Sequence, residues 1–266
     1  MGINTPDRSD SVILNEVKLR VWWTLYMSDH WSSARLGLPR MIGDFERYRE
    51  LPMDEYTFQN MIAGQEIILA PHKPGLWAYM ITLLRTFGPI QDLNQRLAQE
   101  EMMEGDLDSL VQQLAQQLDS WMEMLPLEIK MTKSNLEAHR RKGLGGPFIA
   151  LHLGYHHYST LLYFQFLDSQ YSASNKMYAG RCKAHASEYS SLLRSARQFE
   201  GCEAFYATVG QMAMVSSAVL LHTLLFGDED ELSDARSSLS SNFETLIELK
   251  KYWPISLGRT VSSNSS

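Results

Sequence analysis

From about Asp10 to Trp253 the apolar residues of this sequence recur at helical spacing, and no stretch alternates with the two-residue period of a strand. That pattern leaves little room for anything but helices packed on helices. The clearest stretch is Asp106 to Met124, where Leu107, Leu110, Val111, Leu114 and Leu118 share one face and glutamines occupy the other. Other helices are expected over Asp10 or Ser11 to Leu36, Tyr56 to Leu69, Trp77 to Phe87, Phe148 to Leu167, Tyr178 to Gln198, Phe205 to Phe226 and Leu232 to Trp253.

Their ends follow from turn chemistry. Gly37 and Pro39 close the first helix, because Gly accepts a left-handed cap and Pro cannot continue the backbone hydrogen bonds. Pro52 precedes an N-cap, Pro71 and Pro74 break the second helix, and Gly88-Pro89 and Leu125-Pro126 end the next two. Residues 127–142 are polar and basic, and Gly143 to Pro147 reads as a loop without the spacing of a phosphate cradle. The acidic run 228–231 suits the start of the last helix, and Pro254 its stop. The expected fold is an all-α, single multi-helix domain over residues 10–258. Residues 1–9 and 259–266 are too polar to order themselves.

Function classes narrow next. A formal charge of −7 opposes a broad nucleic-acid surface. The two cysteines, Cys182 and Cys202, fit neither a disulfide framework nor a paired metal motif, and suit a reducing intracellular compartment. Met212 to Phe226, interrupted by Ser216, Ser217 and His222, reads as a buried helix in a soluble protein. Motifs for dinucleotides, nucleotide phosphates, serine hydrolases and zinc proteases are absent from the sequence.

Four blocks in order carry a resemblance. Arg20-Val21-Trp22-Trp23-Thr24-Leu25-Tyr26-Met27-Ser28-Asp29 runs into Leu36-Gly37-Leu38-Pro39 and on to Ile42, Asp44 and Glu46. Trp121 to Pro126 follows, then Leu153-Gly154-Tyr155-His156-His157-Tyr158 with Leu161-Leu162. Cys182, Leu192-Leu193 and Leu246 to Pro254 complete the set. Together these blocks resemble the regulatory (middle homology) domain of fungal zinc-cluster transcription factors. His30 and Leu38 stand where that family usually has Arg, and Phe164-Gln165-Phe166 replaces an Arg-Pro pair. The family's six-cysteine zinc module has no counterpart within this sequence.

The resemblance implies a regulatory protein without direct DNA binding, acting in secondary metabolism through a partner regulator or a small apolar metabolite. Homodimerisation and a nuclear location go with that reading. The alternative is a cofactor-independent cyclase or isomerase, pericyclase-like and cytoplasmic, working on a terpenoid or polyketide with shape and a hydrogen bond supplying the rate.

For either reading the candidate ligand-binding residues are His152, Tyr155, His156, Tyr158, Asp29 and His30. With Tyr163, four of these give one apolar helix aromatic bodies with polar tips, suited to lining a cavity or to a satisfied core. His152 and His156 have the four-residue spacing of a metal pair, but no third ligand is evident, and neither metal nor cofactor is expected. No catalytic residue is singled out. Asp29, beside apolar neighbours, is expected to need a local partner such as Arg20, Arg35 or a backbone N–H.

Overall fold

The computed structural model describes residues 10–43, 50–62, 73–99, 104–168 and 173–253. Among them the chain is all-α, as the periodicity requires, and an isolated bridge between Met53 and Pro74 is its only β pairing. Contacts cluster into two compact units, residues 1–91 and 92–266. The expected disordered ends, Asp44, Glu46, Pro71 and Pro254 lie outside the described residues.

The first unit begins with α1, Val12–Leu36. Ser11 caps its start by accepting from the Leu14 N–H, and Gly37 ends it at φ 64°, the left-handed conformation that favours glycine. Helical period puts Val17, Val21 and Leu25 on one stripe of α1 with Trp22 and Tyr26 beside it, and it is the aromatic side that turns inward. Val17, Val21 and Leu25 are exposed, whereas Glu16, Trp22, Trp23, Tyr26, Met27, His30 and Ser33 are buried. The aromatic face offers far more area to remove from water than a row of valines, so it takes the core.

A short helix α2, Glu55–Gln59, starts at its Asp54 N-cap; the expected extension to Leu69 falls on residues outside the description. Next comes α3, Leu76–Ala98, which passes through Gly88-Pro89 instead of stopping there and whose residues from Asp92 on count with the second unit. A proline inside a helix costs about 3 kcal/mol. Beyond it, however, Ile90 and Leu93 are fully buried, and that burial opposes the break. The opening of α3 is capped from a distance. Glu55 on α2 is buried and accepts from the backbone N–H groups of Leu76 (2.9 Å) and Trp77 (2.8 Å).

The second unit contains α4 (Glu104–Met124), α5 (Lys133–Arg141), α6 (Gly145–Tyr163, extended by a 3-10 turn to Phe166), α7 (Ala173–Gln198), α8 (Ala207–Phe226) and α9 (Glu229–Tyr252). Helix α7 packs against α6, α8 and α9, and α6 also meets α4 and α5. Helix α5 was not legible, because a nine-residue polar helix shows little apolar period. By length and composition α8 could cross a membrane. Half of it is nonetheless buried, and Asn242 of α9 donates to both Ser216 and Ser217 at 3.1 Å, an interlock suited to a packed helix pair.

The glycine run 143–146 is a turn only at Gly143, at φ 72°; Gly145 and Gly146 already belong to α6. They are small because the backbone of residues 201–203 lies against them. A Cβ on Gly145 would stand 2.5 Å from the Gly201 carbonyl oxygen and 2.7 Å from Cys202 Sγ. Gly145→Ala is therefore expected to cost about 1–3 kcal/mol in urea unfolding. Gly180→Ala, on the exposed side of α7 with open space around it, is expected to add up to about 1 kcal/mol. Equal effects at the two positions would contradict this packing.

Candidate functional site

The residues singled out in sequence fall in different units, and those of the first serve the fold. Asp29 is half-buried and accepts from the backbone N–H groups of Met41 (3.0 Å) and Ile42 (2.9 Å). His30 is buried with Nδ1 2.9 Å from the Tyr26 carbonyl oxygen. Trp23 Nε1 donates to the Glu50 carbonyl at 2.9 Å, and Arg20 Nη2 to the Met53 carbonyl at 2.6 Å. Arg20 also pairs with buried Glu16, which accepts from the Met53 N–H, and lies 4.3 Å over the Phe58 ring. Arg20, Trp23 and Asp29 of α1 are thus anchors that hold the chain after Gly37 against the helix.

In the second unit α6 carries the remaining candidates. His152 is fully buried; its Nε2 donates to the Ile129 carbonyl at 2.9 Å, while among the described residues Nδ1 has no hydrogen-bond partner. Burial lowers its pKa to about 4, against which the Ile129 bond works only partly. Tyr158 is completely covered. His157, also buried, is held neutral by desolvation with a pKa of about 3.

Tyr155 and His156 do come together, and with residues outside α6. His156 Nδ1 stands 3.1 Å from Nδ1 of His185 on α7, a geometry in which one neutral ring donates to the other. Burial first, and the charge of His185 second, lowers the His156 pKa to about 3; burial and the Arg181 charge lower that of His185 to about 4. Tyr155 stacks on Trp121 at 5.9 Å and presents edges to both imidazoles. Tyr163 stacks on Tyr178 at 5.5 Å and on His185 at 6.1 Å, with the Arg181 guanidinium 4.8 Å from its centroid. Among the described residues the buried Tyr163 hydroxyl has no hydrogen-bond partner, and burial raises its pKa. Arg181 is fixed by its Nη2, which donates to both carboxylate oxygens of Asp119 at 2.6 and 2.8 Å.

Stacked rings with polar tips are the chemistry that orients a polar atom against an apolar surface. This cluster cannot lend a protonated imidazole at neutral pH. Among the described residues no three His, Cys, Asp or Glu side chains gather as a metal site. Cys182 is buried, and burial pushes its thiol up to about 12, which leaves it unreactive. Sequence reasoning missed His185 and Arg181. Their four-residue spacing on α7, one helical turn, was the available signal.

No family model matches the chain, and no solved structure matches it. Among curated proteins it is 25% identical, over 284 residues, to the Zn(2)-C6 fungal-type transcription factor FTF1c of Fusarium oxysporum f. sp. lycopersici. To FTF2 of the same fungus it is 23% identical over 291 residues, and to the transcriptional activator protein acu-15 of Neurospora crassa 27% over 152 residues. The alignments with FTF1c and FTF2 take in 95% of this chain but only 30% and 26% of those proteins, while that with acu-15 takes in 56% and 16%. Over nearly its whole length, then, this chain is a partial homologue of the fungal Zn(2)-C6 transcription factors.

Proposed function

We propose that this chain is a transcription-regulator module of the zinc-cluster type, acting without DNA contact of its own in the control of fungal secondary metabolism. The observation that carries the reading is the extent of the likeness, which takes in 95% of the chain with relatives named as transcription factors. The net charge of −7 agrees with a role that leaves DNA to another module. A partner regulator or second copy would be met by the exposed stripe Val17, Val21 and Leu25 on α1.

On this reading a small apolar ligand would meet the cluster around Tyr155 and His156, extended by His185 and Tyr163. The unpartnered Tyr163 hydroxyl is the hydrogen-bonding group it would satisfy. His152 and Tyr158 back this cluster from the core of α6. Asp29 and His30 keep the scaffolding part described for them.

The test fuses the chain to an unrelated DNA-binding domain and reads a reporter gene in a fungal host. A change in reporter output that Tyr163→Phe or His156→Ala alters is the expected result. An unchanged reporter with the fusion folded and present overturns the regulatory reading. Conversion of a host metabolite by the purified chain would replace it with the cyclase or isomerase.

A further inference from the structure

An open groove of about 750 Å³ runs between α7 and α9, away from the aromatic cluster. Its lining is unusual for so acidic a chain. Arg194 and Arg197, three residues apart on α7, face Arg236 of α9 across it, and Ser237 and Ser241 of α9 add hydroxyls. Glu244 is the single acidic residue of the lining, so three guanidinium groups meet one carboxylate where the whole chain carries −7.

Two features separate this groove from a solvated patch of charge. Arg197 is spoken for, since its Nη2 pairs with Glu244, but among the described residues neither Arg194 nor Arg236 has an acceptor. Ser241 Oγ is buried, with the residue 4% exposed, and also lacks a hydrogen-bond partner. A buried hydroxyl without a partner costs about 1–3 kcal/mol, and a molecule in the groove would remove that cost.

We infer that the α7–α9 groove binds a small phosphate-bearing molecule, with Arg194 and Arg236 gripping the phosphate and Ser241 completing the contacts. Guanidinium forks match the oxygen spacing of phosphate, and two forks with hydroxyls supply more donors than one carboxylate can use. The volume suits a compact ligand. Glu244 orients Arg197 but repels an entering anion, so it weakens the site while shaping it.

Titration of the full chain with inorganic pyrophosphate by calorimetry, at matched ionic strength, tests this. Saturable binding is expected, weakened at least about tenfold in R194A/R236A, a loss of about 1.4 kcal/mol. E244Q is expected to tighten it several-fold, which no misfolded variant would do. Citrate run in parallel separates phosphate recognition from charge alone. The inference is overturned by absence of saturable pyrophosphate binding to the folded chain, by citrate binding equally well, or by indifference to R194A/R236A. A phosphoserine peptide binding more tightly than pyrophosphate would also overturn it, in favour of a protein partner.

Discussion

Acidification from about pH 7 to about pH 5 is expected to unfold the second unit, well before most carboxylates titrate. His152, His156, His157 and His185 are all neutral in the fold, with pKa values lowered from 6.5 to about 4, 3, 3 and 4. Below their unfolded pKa the unfolded chain takes up protons that the folded chain refuses, so stability is lost as pH falls from about 6.5 towards 4. By about pH 5 each such histidine withdraws about 2 kcal/mol. His156 and His185 are only partly covered and contribute less, but the buried pair alone takes up a large part of a typical domain's stability.

Carboxylates do not obscure this window. Glu137, held down by its bond to Arg140, and Glu231, held down by Lys183 despite the burial that opposes it, stay ionised until the pH is lower. Circular dichroism against pH should show the transition. His152→Gln, whose side-chain nitrogen reaches the place of Nε2, keeps a donor for Ile129 but cannot take a proton near neutrality, and its midpoint should move to lower pH. Unchanged urea stability between about pH 7 and pH 5 would refute the buried neutral state.

Arg20→Ala should cost the first unit about 3–5 kcal/mol. The substitution strands the carboxylate of Glu16, 6% exposed, and removes the donor to the Met53 carbonyl and the cover over Phe58. Arg20→Lys restores charge but not the fork that reaches Glu16 and Met53 together, so it should recover less than half the loss. The double variant Glu16→Gln/Arg20→Met should be milder than Arg20→Ala, because the uncompensated charge is gone. Urea unfolding followed by tryptophan fluorescence, to which Trp22 and Trp23 of the first unit contribute, measures all three. A loss under about 1 kcal/mol in Arg20→Ala would mean that the pair is an ordinary surface bridge.

These residues mark what the sequence made legible. Helix α1 could be bounded from Ser11, Gly37 and Pro39, because caps are local and their chemistry stands beside them. Its inward face could not, since the period groups Val17 with Val21 as readily as Trp22 with Tyr26, and only the rest of the unit decides between them. Pro89 misled for the opposite reason: a local break signal was outweighed by residues that the local window does not weigh. Tyr155 and His156 were picked out by their crowding on one helix, but their companion His185 lies 29 residues beyond His156. The groove arginines are split between α7 and α9, and no reading along one helix joins them.

The cap that Glu55 places on α3 has a kinetic side. A peptide cut to Leu76–Ala98 lacks that carboxylate, and Pro89 further weakens its central turns. Helix α3 is therefore a poor early nucleus, although it is one of the longer helices. Its first turn gains a carboxylate cap only with α2 in place, so loss of that carboxylate is expected to loosen α2 and the start of α3 together.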